Sequence, residues 1–440
     1  MVTYHFPPVT SAGVYRLTGL VKYLRRAGWQ VHVLTVARSL QEQADVASLE
    51  AIPPDVAVTR TISPEPAARL GRATAPAPGA TSGAAAAGAD GRRPVWRRVL
   101  RRPARWLFDA LSYPDFQIGW APVVAYHVLR HVRRHPRAVV LSSTPPHSTQ
   151  LGVRLARAFV RFTWVADFRD PWTAPLRVPK GRINLSAQRA METWVLRACD
   201  HAIVNTPGNR AALLAAFPWL DATRVSTVTN GFDAPDPIPP AAPADADLAC
   251  DVAYFGEIYP EMLEHYLEGV AWLVRHEPSR APRLHVFGKH SQPDRERVRA
   301  AGLDEHIVFM GTVPYARSVS LMRAAPSLLV LLPPGDAWRS CVPSKLYAYL
   351  FAARPVLAIA PAGDATRVIE ETGAGVSVEP GEPDAVGRGI ADFVAAVRSG
   401  RARSRAGESA AARRYAFSEL AGRVDEILRA AAGGEGVADD

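Results

Sequence analysis

Strand-length apolar runs alternate with helix-length amphipathic runs along this chain, and the alternation stops at one proline-rich stretch and then begins again. Strands separated by helical crossovers pair in parallel, and a parallel sheet needs helices on both faces. The first series opens with an expected strand at residues 2–6, a helix at 14–26 and a strand at 31–36. It resumes with helix 117–133, strand 138–142, helix 147–159, strand 162–167, helix 186–197, strand 201–205, helix 208–216 and a short strand at 225–229. The second series runs from a strand at 252–256 to a helix at 384–397. Between them, PDPIPPAAPADAD reads as a stiff linker. The expectation is an α/β protein with two doubly wound, Rossmann-like domains facing across a cleft.

The 440 residues suffice for two cores, and 48% hydrophobic with 21% charged residues exclude a disordered chain. No apolar run approaches the roughly 20 residues of a spanning helix, and MVTYHFPP carries no basic leader or apolar core, so a cytoplasmic address is expected. Cys199, Cys250 and Cys341 are odd in number and widely spaced, which suggests neither a disulfide framework nor a zinc site. Residues 63–91 are too rich in Ala, Pro and Gly to pack and are expected to form a flexible insertion.

The net charge of +10 is concentrated. Seven arginines fall between Arg92 and Arg105, leaving about +3 for everything else. In this basic amphipathic segment, residues 92–111, Trp96 and Trp106 alternate with Arg97, Arg98, Arg101, Arg102 and Arg105. That pattern suits either an anionic membrane surface or a solvated helix with its apolar side on the domain. No recognised nucleic-acid module accompanies it, so nucleic acid is not expected as a partner.

Ligands of doubly wound sheets collect at the carboxyl ends of the strands, and the polar motifs fall there. PPVTSAGVYR puts Gly13 and Arg16 at a helix start, suited to a phosphate or hydroxyl-rich ligand or to a plain turn. SSTPPHS places His147 at another helix start, for ligand contact or simple capping. ADFRDPW ends a strand with Asp167, Arg169 and Asp170, which could line a cleft or lock a loop. In the second half, FGEIYPE and VFGKH offer Gly256 and Lys289 to a diphosphate. VPSKLYAYL opens a helix with Ser344 as expected N-cap and Lys345 facing the crevice.

Taken together, FPPVTSAGVYRLTGLVKYLRRAGWQVHVLT, VLSSTPPHS with WVADFRDPW, VTNGFD, VPSKLYAYLFAARPVLAIAP and ETGAGVSVEP resemble retaining glycosyltransferases of the GT-B fold, family-four-like and of the bacterial cell-envelope and polysaccharide type. The resemblance implies a glycosyltransferase moving a sugar from a nucleotide diphosphate donor, with retention, to an envelope glycan, glycolipid or polysaccharide acceptor. It implies no metal and no cofactor beyond the nucleotide-sugar co-substrate. Residues 1–234 would be the acceptor domain, 235–248 the linker and 249–412 the nucleotide-sugar domain. Residues 413–440 would form a C-terminal helix with the option of crossing back, and a disordered tail. His147, Asp167, Arg169 and Asp170 would be catalytic; Gly13, Arg16, Gly256, Lys289, Ser344 and Lys345 would bind the donor. The segment 92–111 would rest on the inner face of the plasma membrane.

This sequence departs from the family pattern in more than one place: the glycine loop is reduced to Gly13 alone, and the arginine usual near residues 255–259 is missing. Ala348 and Ser340 stand where a Glu-x₇-Glu pair is usual, and the second glutamate holds the nucleotide ribose. An alternative is therefore a catalytically impaired GT-B scaffold acting as a binding or assembly subunit; a sugar-nucleotide epimerase ranks after both.

Overall fold

A computed structural model describes residues 1–9, 12–37, 46–64, 113–175, 182–233, 248–258, 260–407 and 409–433. The residues expected to contact a membrane, Trp96, Arg97, Arg98, Arg101, Arg102, Arg105 and Trp106, most of the expected insertion and nearly all of the expected linker lie outside these residues.

The first sheet is seven-stranded and wholly parallel in order β3-β2-β1-β4-β5-β6-β7. Its strands are β1 (Val2–Thr3), β2 (His32–Val36), β3 (Ala57–Thr61), β4 (Val140–Thr144), β5 (Trp164–Phe168), β6 (His201–Val204) and β7 (Val225–Thr227). Helices α1 (Ala12–Arg26), α2 (Ala121–Arg134), α3 (Ser148–Arg157), α4 (Arg182–Leu196) and α5 (Pro207–Ala216) connect them. Strand order reverses between β1 and β4, which opens a crevice at their carboxyl ends. Strand β3 was not anticipated: in AVTRT only Thr61 is buried, so the edge strand carries too little apolar signal.

The second sheet repeats the plan with six strands in order β10-β9-β8-β11-β12-β13. These are β8 (Val252–Phe255), β9 (Leu284–Phe287), β10 (Ile307–Gly311), β11 (Leu328–Leu331), β12 (Val356–Ile359) and β13 (Gly375–Val378). Strands β8, β11 and β12 read VAYF, LLVL and VLAI and are buried throughout, as central parallel strands covered on both faces must be. The helices are α6 (Pro260–His276), α7 (Gln292–Ala300), α8 (Tyr315–Ala324), the one-turn α9 (Asp336–Arg339), α10 (Ser344–Ala352), α11 (Asp364–Thr372) and α12 (Pro383–Arg398).

After the one-turn α13 (Ala410–Arg413), the last helix, α14 (Phe417–Ala431), leaves its own domain and packs on α1. Phe417, Leu420, Val424 and Leu428 join Leu20, Leu24, Val165 and Ile203 in one buried cluster, so α14 covers the face of the first sheet that α1 alone leaves open. The crossing point is VTNGFD. Phe232 pairs with Ala416 in a parallel bridge, Phe232 N donates to Tyr415 O at 3.0 Å and Phe417 N to Phe232 O at 2.9 Å. Lys22 Nζ and Tyr23 Oη both bind Asp233, at 2.6 and 2.9 Å.

Gly231 leaves no space at this point: a Cβ there would overlap the Tyr415 carbonyl and Leu420 Cδ1. Gly231→Ala is expected to cost about 1–3 kcal/mol through this overpacking. Hydrogen exchange would show faster exchange in residues 417–431 than in the β8–β12 core.

Candidate active site at the facing strand ends

In the first domain three loops meet at the ends of β1, β4 and β5. Gly13, in the first turn of α1, is buried, and a Cβ there would overlap the Arg169 guanidinium. Arg169 Nε donates to the Thr144 carbonyl at 3.3 Å and Nη2 to Asp170 Oδ2 at 3.3 Å. Arg169 is largely enclosed while Asp170 is about half exposed, so of this pair Asp170 is the more open to solvent.

His147 sits directly before α3, its ring stacked on Trp172 at 4.6 Å with an interplanar angle of 4°. Trp172 is buried and its indole N–H donates to Gln188 Oε1 at 3.0 Å, which fixes the platform under the imidazole. Asp115, which sequence reasoning missed, caps this helix: its carboxylate accepts Ser148 N at 3.0 Å, Gln117 N at 3.2 Å and the Ser148 hydroxyl. Burial raises its carboxyl pKa, and these bonds pull it back. Nothing in residues 113–117 signals a cap for a helix thirty residues on.

Asp167 and Arg16 take different roles from those expected. Arg16 Nη2 lies 3.1 Å from Asp167 Oδ1, Arg16 Nε donates to Oδ2 at 3.4 Å, and both side chains are 1% exposed. Ser143 Oγ donates to Asp167 Oδ2 at 2.8 Å, and Arg16 Nη1 donates to the Thr229 carbonyl. With both carboxylate oxygens engaged, the pair ties α1, β4, β5 and the 228–233 segment together beneath the crevice instead of reaching a ligand. The correction has a simple cause: Asp167 is still within β5, so its side chain enters the sheet's packing layer.

In the second domain the glycine turns after β8 and β9 lie against each other. Gly256 has φ +126° and Gly288 φ +157°, both in the region that favours glycine. A Cβ on Gly288 would overlap the Gly256 carbonyl. Gly256 N donates to Phe287 O at 2.8 Å, and Ile258 N to Lys289 O at 3.2 Å. Lys345 meets this turn. A Cβ on Gly256 would stand 2.9 Å from Nζ, and the ammonium lies 3.6 Å from the Tyr254 ring centroid. Burial lowers the Lys345 pKa to about 7, with the Glu257 carboxylate pulling the other way. Lys289 is exposed on its loop.

Ser344 is not the N-cap. Pro343 occupies that position at φ −66°, ψ 137°, with no side-chain cap bond, and Ser344 begins α10. Pro343 gives the first N–H groups of α10 no side-chain cap, and Lys345 leaves the first turn of this helix. Ala348 is partly buried and packs on the apolar cluster under α10.

The two domains touch at their strand ends. Thr206 caps α5 through Asn209 N and donates its hydroxyl to Ser340 O at 2.9 Å; Gly208 N donates to Asp364 Oδ2 at 2.8 Å. Asp364 is buried and also binds Arg367. Thr-Pro-Gly reads from sequence as a helix start, yet its partner lies 156 residues on. Among the described residues no cluster of three or more His, Cys, Asp or Glu could hold a metal ion, and no helix is long and apolar enough to cross a membrane.

No known family profile matches the chain, and no curated protein matches it in sequence. Solved structures do. A glycosyltransferase from Rickettsia africae is similar over 99% of both chains at 12% identity and TM-score 0.59. Anabaena HepE, in complex with UDP, is similar over 98% of this chain and 99% of its own at 14% identity and TM-score 0.62. Sucrose-phosphate synthase from Thermosynechococcus elongatus covers 98% of each chain at 14% identity and TM-score 0.60. Two facing doubly wound sheets, joined end to end and similar over full length to these structures, give this chain the GT-B fold of glycosyltransferases.

Proposed function

We propose that the protein is a glycosyltransferase that moves a sugar from a nucleotide diphosphate donor to a glycan or lipid-linked acceptor. The observation that carries this reading is the convergence of Lys345, the start of α10 and the Gly256 turn at the carboxyl end of β8. As the bond from sugar to diphosphate breaks, negative charge grows on the departing phosphate oxygens. A desolvated ammonium and helix-terminal N–H groups stabilise that charge more than they stabilise the ground state. Asp170 and His147, with Arg169 behind them, would face the sugar and acceptor from the first domain. We extend the reading to transfer with retention, without a metal, to an envelope glycan at the inner membrane face, as the sequence resemblance implies. UDP is the leading nucleotide, since HepE is in complex with UDP.

The competing reading is a scaffold without transfer, favoured by Ala348. Calorimetry of the full chain against UDP, GDP, ADP and dTDP and their sugars separates them. Saturable binding of one nucleotide with slow release of free sugar from its donor supports the enzyme. Absence of both across the panel overturns it in favour of the scaffold.

A further inference from the structure

The arginines outside segment 92–111 are scattered in sequence, but the fold collects several of them. Crossover helices run antiparallel to their strands, so the C-termini of α2, α3, α4 and α5 gather at the end of the first domain away from the cleft. Contacts join these ends. His32, opening β2, meets His131 of α2 edge-on at 4.8 Å; Arg154 Nε of α3 donates to the Trp194 carbonyl of α4 at 3.1 Å; Arg197 lies 5.2 Å from the Trp219 ring beyond α5.

Three large rings on this end face solvent: Phe159 is 72% exposed, Trp219 44% and Trp194 39%. Single exposed rings are ordinary; three at one end, with two of them stacked on arginines, are not. Arg133, Arg134, Arg137, Arg161 and Arg197 are exposed around them, and none forms an ion pair among the described residues. Of the carboxylates on adjoining loops, Asp200 takes two bonds from Arg157, at 2.9 and 2.8 Å, while Asp221 accepts the uncharged Thr223 N at 2.9 Å and keeps its charge. Complementing a helix dipole accounts for one cation per helix end, not for this excess.

We propose that this end of the first domain is a docking surface for an anionic lipid bilayer. Tryptophan and phenylalanine settle at headgroup level while arginines meet acidic headgroups. The folded surface would act beside, and independently of, the basic segment. Docked this way, the cleft stands off the bilayer by at least the length of α3, about 15 Å. A membrane-bound acceptor would then have to project from the surface to reach it. Vesicle binding needs no turnover, so this inference and the transfer reading fail separately.

The test is co-sedimentation of the full chain with phosphatidylcholine vesicles, with and without phosphatidylglycerol. The expected result is binding only when phosphatidylglycerol is present, weakened about a hundredfold in R133Q/R134Q/R137Q. Phe159→Ser with Trp219→Ser should weaken it further at high salt, where the rings carry more of the contact. All five side chains are exposed, and the arginine variant alters no core residue, so it carries the test if the ring variant melts early. Failure of the wild type to bind the acidic vesicles overturns the proposal. So does unchanged binding by the arginine variant, which would leave the contact to segment 92–111 alone.

Discussion

Asp167→Ala is expected to lower the stability of the first domain by about 3–5 kcal/mol, because it strands the Arg16 guanidinium, 1% exposed, without its counter-charge. The same change removes the acceptor of Ser143 Oγ. Replacing both partners, as in R16M/D167L, is expected to recover much of that loss, since a buried pair exchanged for apolar groups leaves no unpaired charge. Urea unfolding followed by tryptophan fluorescence, with Trp164 in β5 and Trp172 just beyond it, measures both. If Asp167→Ala unfolds at the wild-type midpoint yet loses activity, the pair contacts ligand and the structural role given to it is wrong.

Lys345→Ala is expected to weaken nucleotide diphosphate binding by about 10- to 100-fold, the loss of one or two charge-assisted hydrogen bonds worth about 1.5–3 kcal/mol together. The pH dependence is more telling. In the folded chain the ammonium titrates at about 7, against 10.5 for an ordinary lysine. The unfolded chain therefore binds more protons between about 7 and 10.5, and stability without ligand rises with pH across that window. Nucleotide affinity runs the opposite way. It should be full below pH 7 and fall as the ammonium is lost above it, by up to about tenfold per unit. A nucleotide-sugar is the better probe, because it lacks the terminal phosphate that itself titrates near 6. Arginine does not deprotonate in this range, so Lys345→Arg should flatten the profile. A flat profile in the wild type would show that Lys345 does not meet the diphosphate.

Much of the architecture was legible in the alternation of apolar runs, because a buried parallel strand must be apolar on both faces, as LLVL and VLAI are. The exceptions share a cause. Strand β3 lies at a sheet edge and buries only Thr61, so its residues carry almost no apolar signal. Asp115 caps a helix thirty-three residues away, and Gly208 meets Asp364 across 156 residues, contacts that no local pattern encodes.

The candidate site divides the same way. That Gly13, His147, Arg169, Gly256 and Lys345 lie at strand ends follows from sequence, since a strand-to-helix turn in a parallel sheet opens at the carboxyl edge. Which of the polar residues face outward did not. Asp167 and Arg16 look like cleft residues in the chain and are consumed by each other in the fold. Ser344 looks like a cap, but the extended Pro343 ahead of it takes that place.

The charge tells the same story at larger scale. One basic segment stands out in sequence, while the arginines at the helix ends of the first domain look like background until the crossovers bring them together. The sequence by itself determined the two α/β series and the loops that open on the crevice, because these depend on local periodicity and on turn chemistry. Tertiary structure alone decided which charges pair, where α14 docks and which rings face solvent, because those outcomes depend on residues far apart in the chain competing for the same buried space.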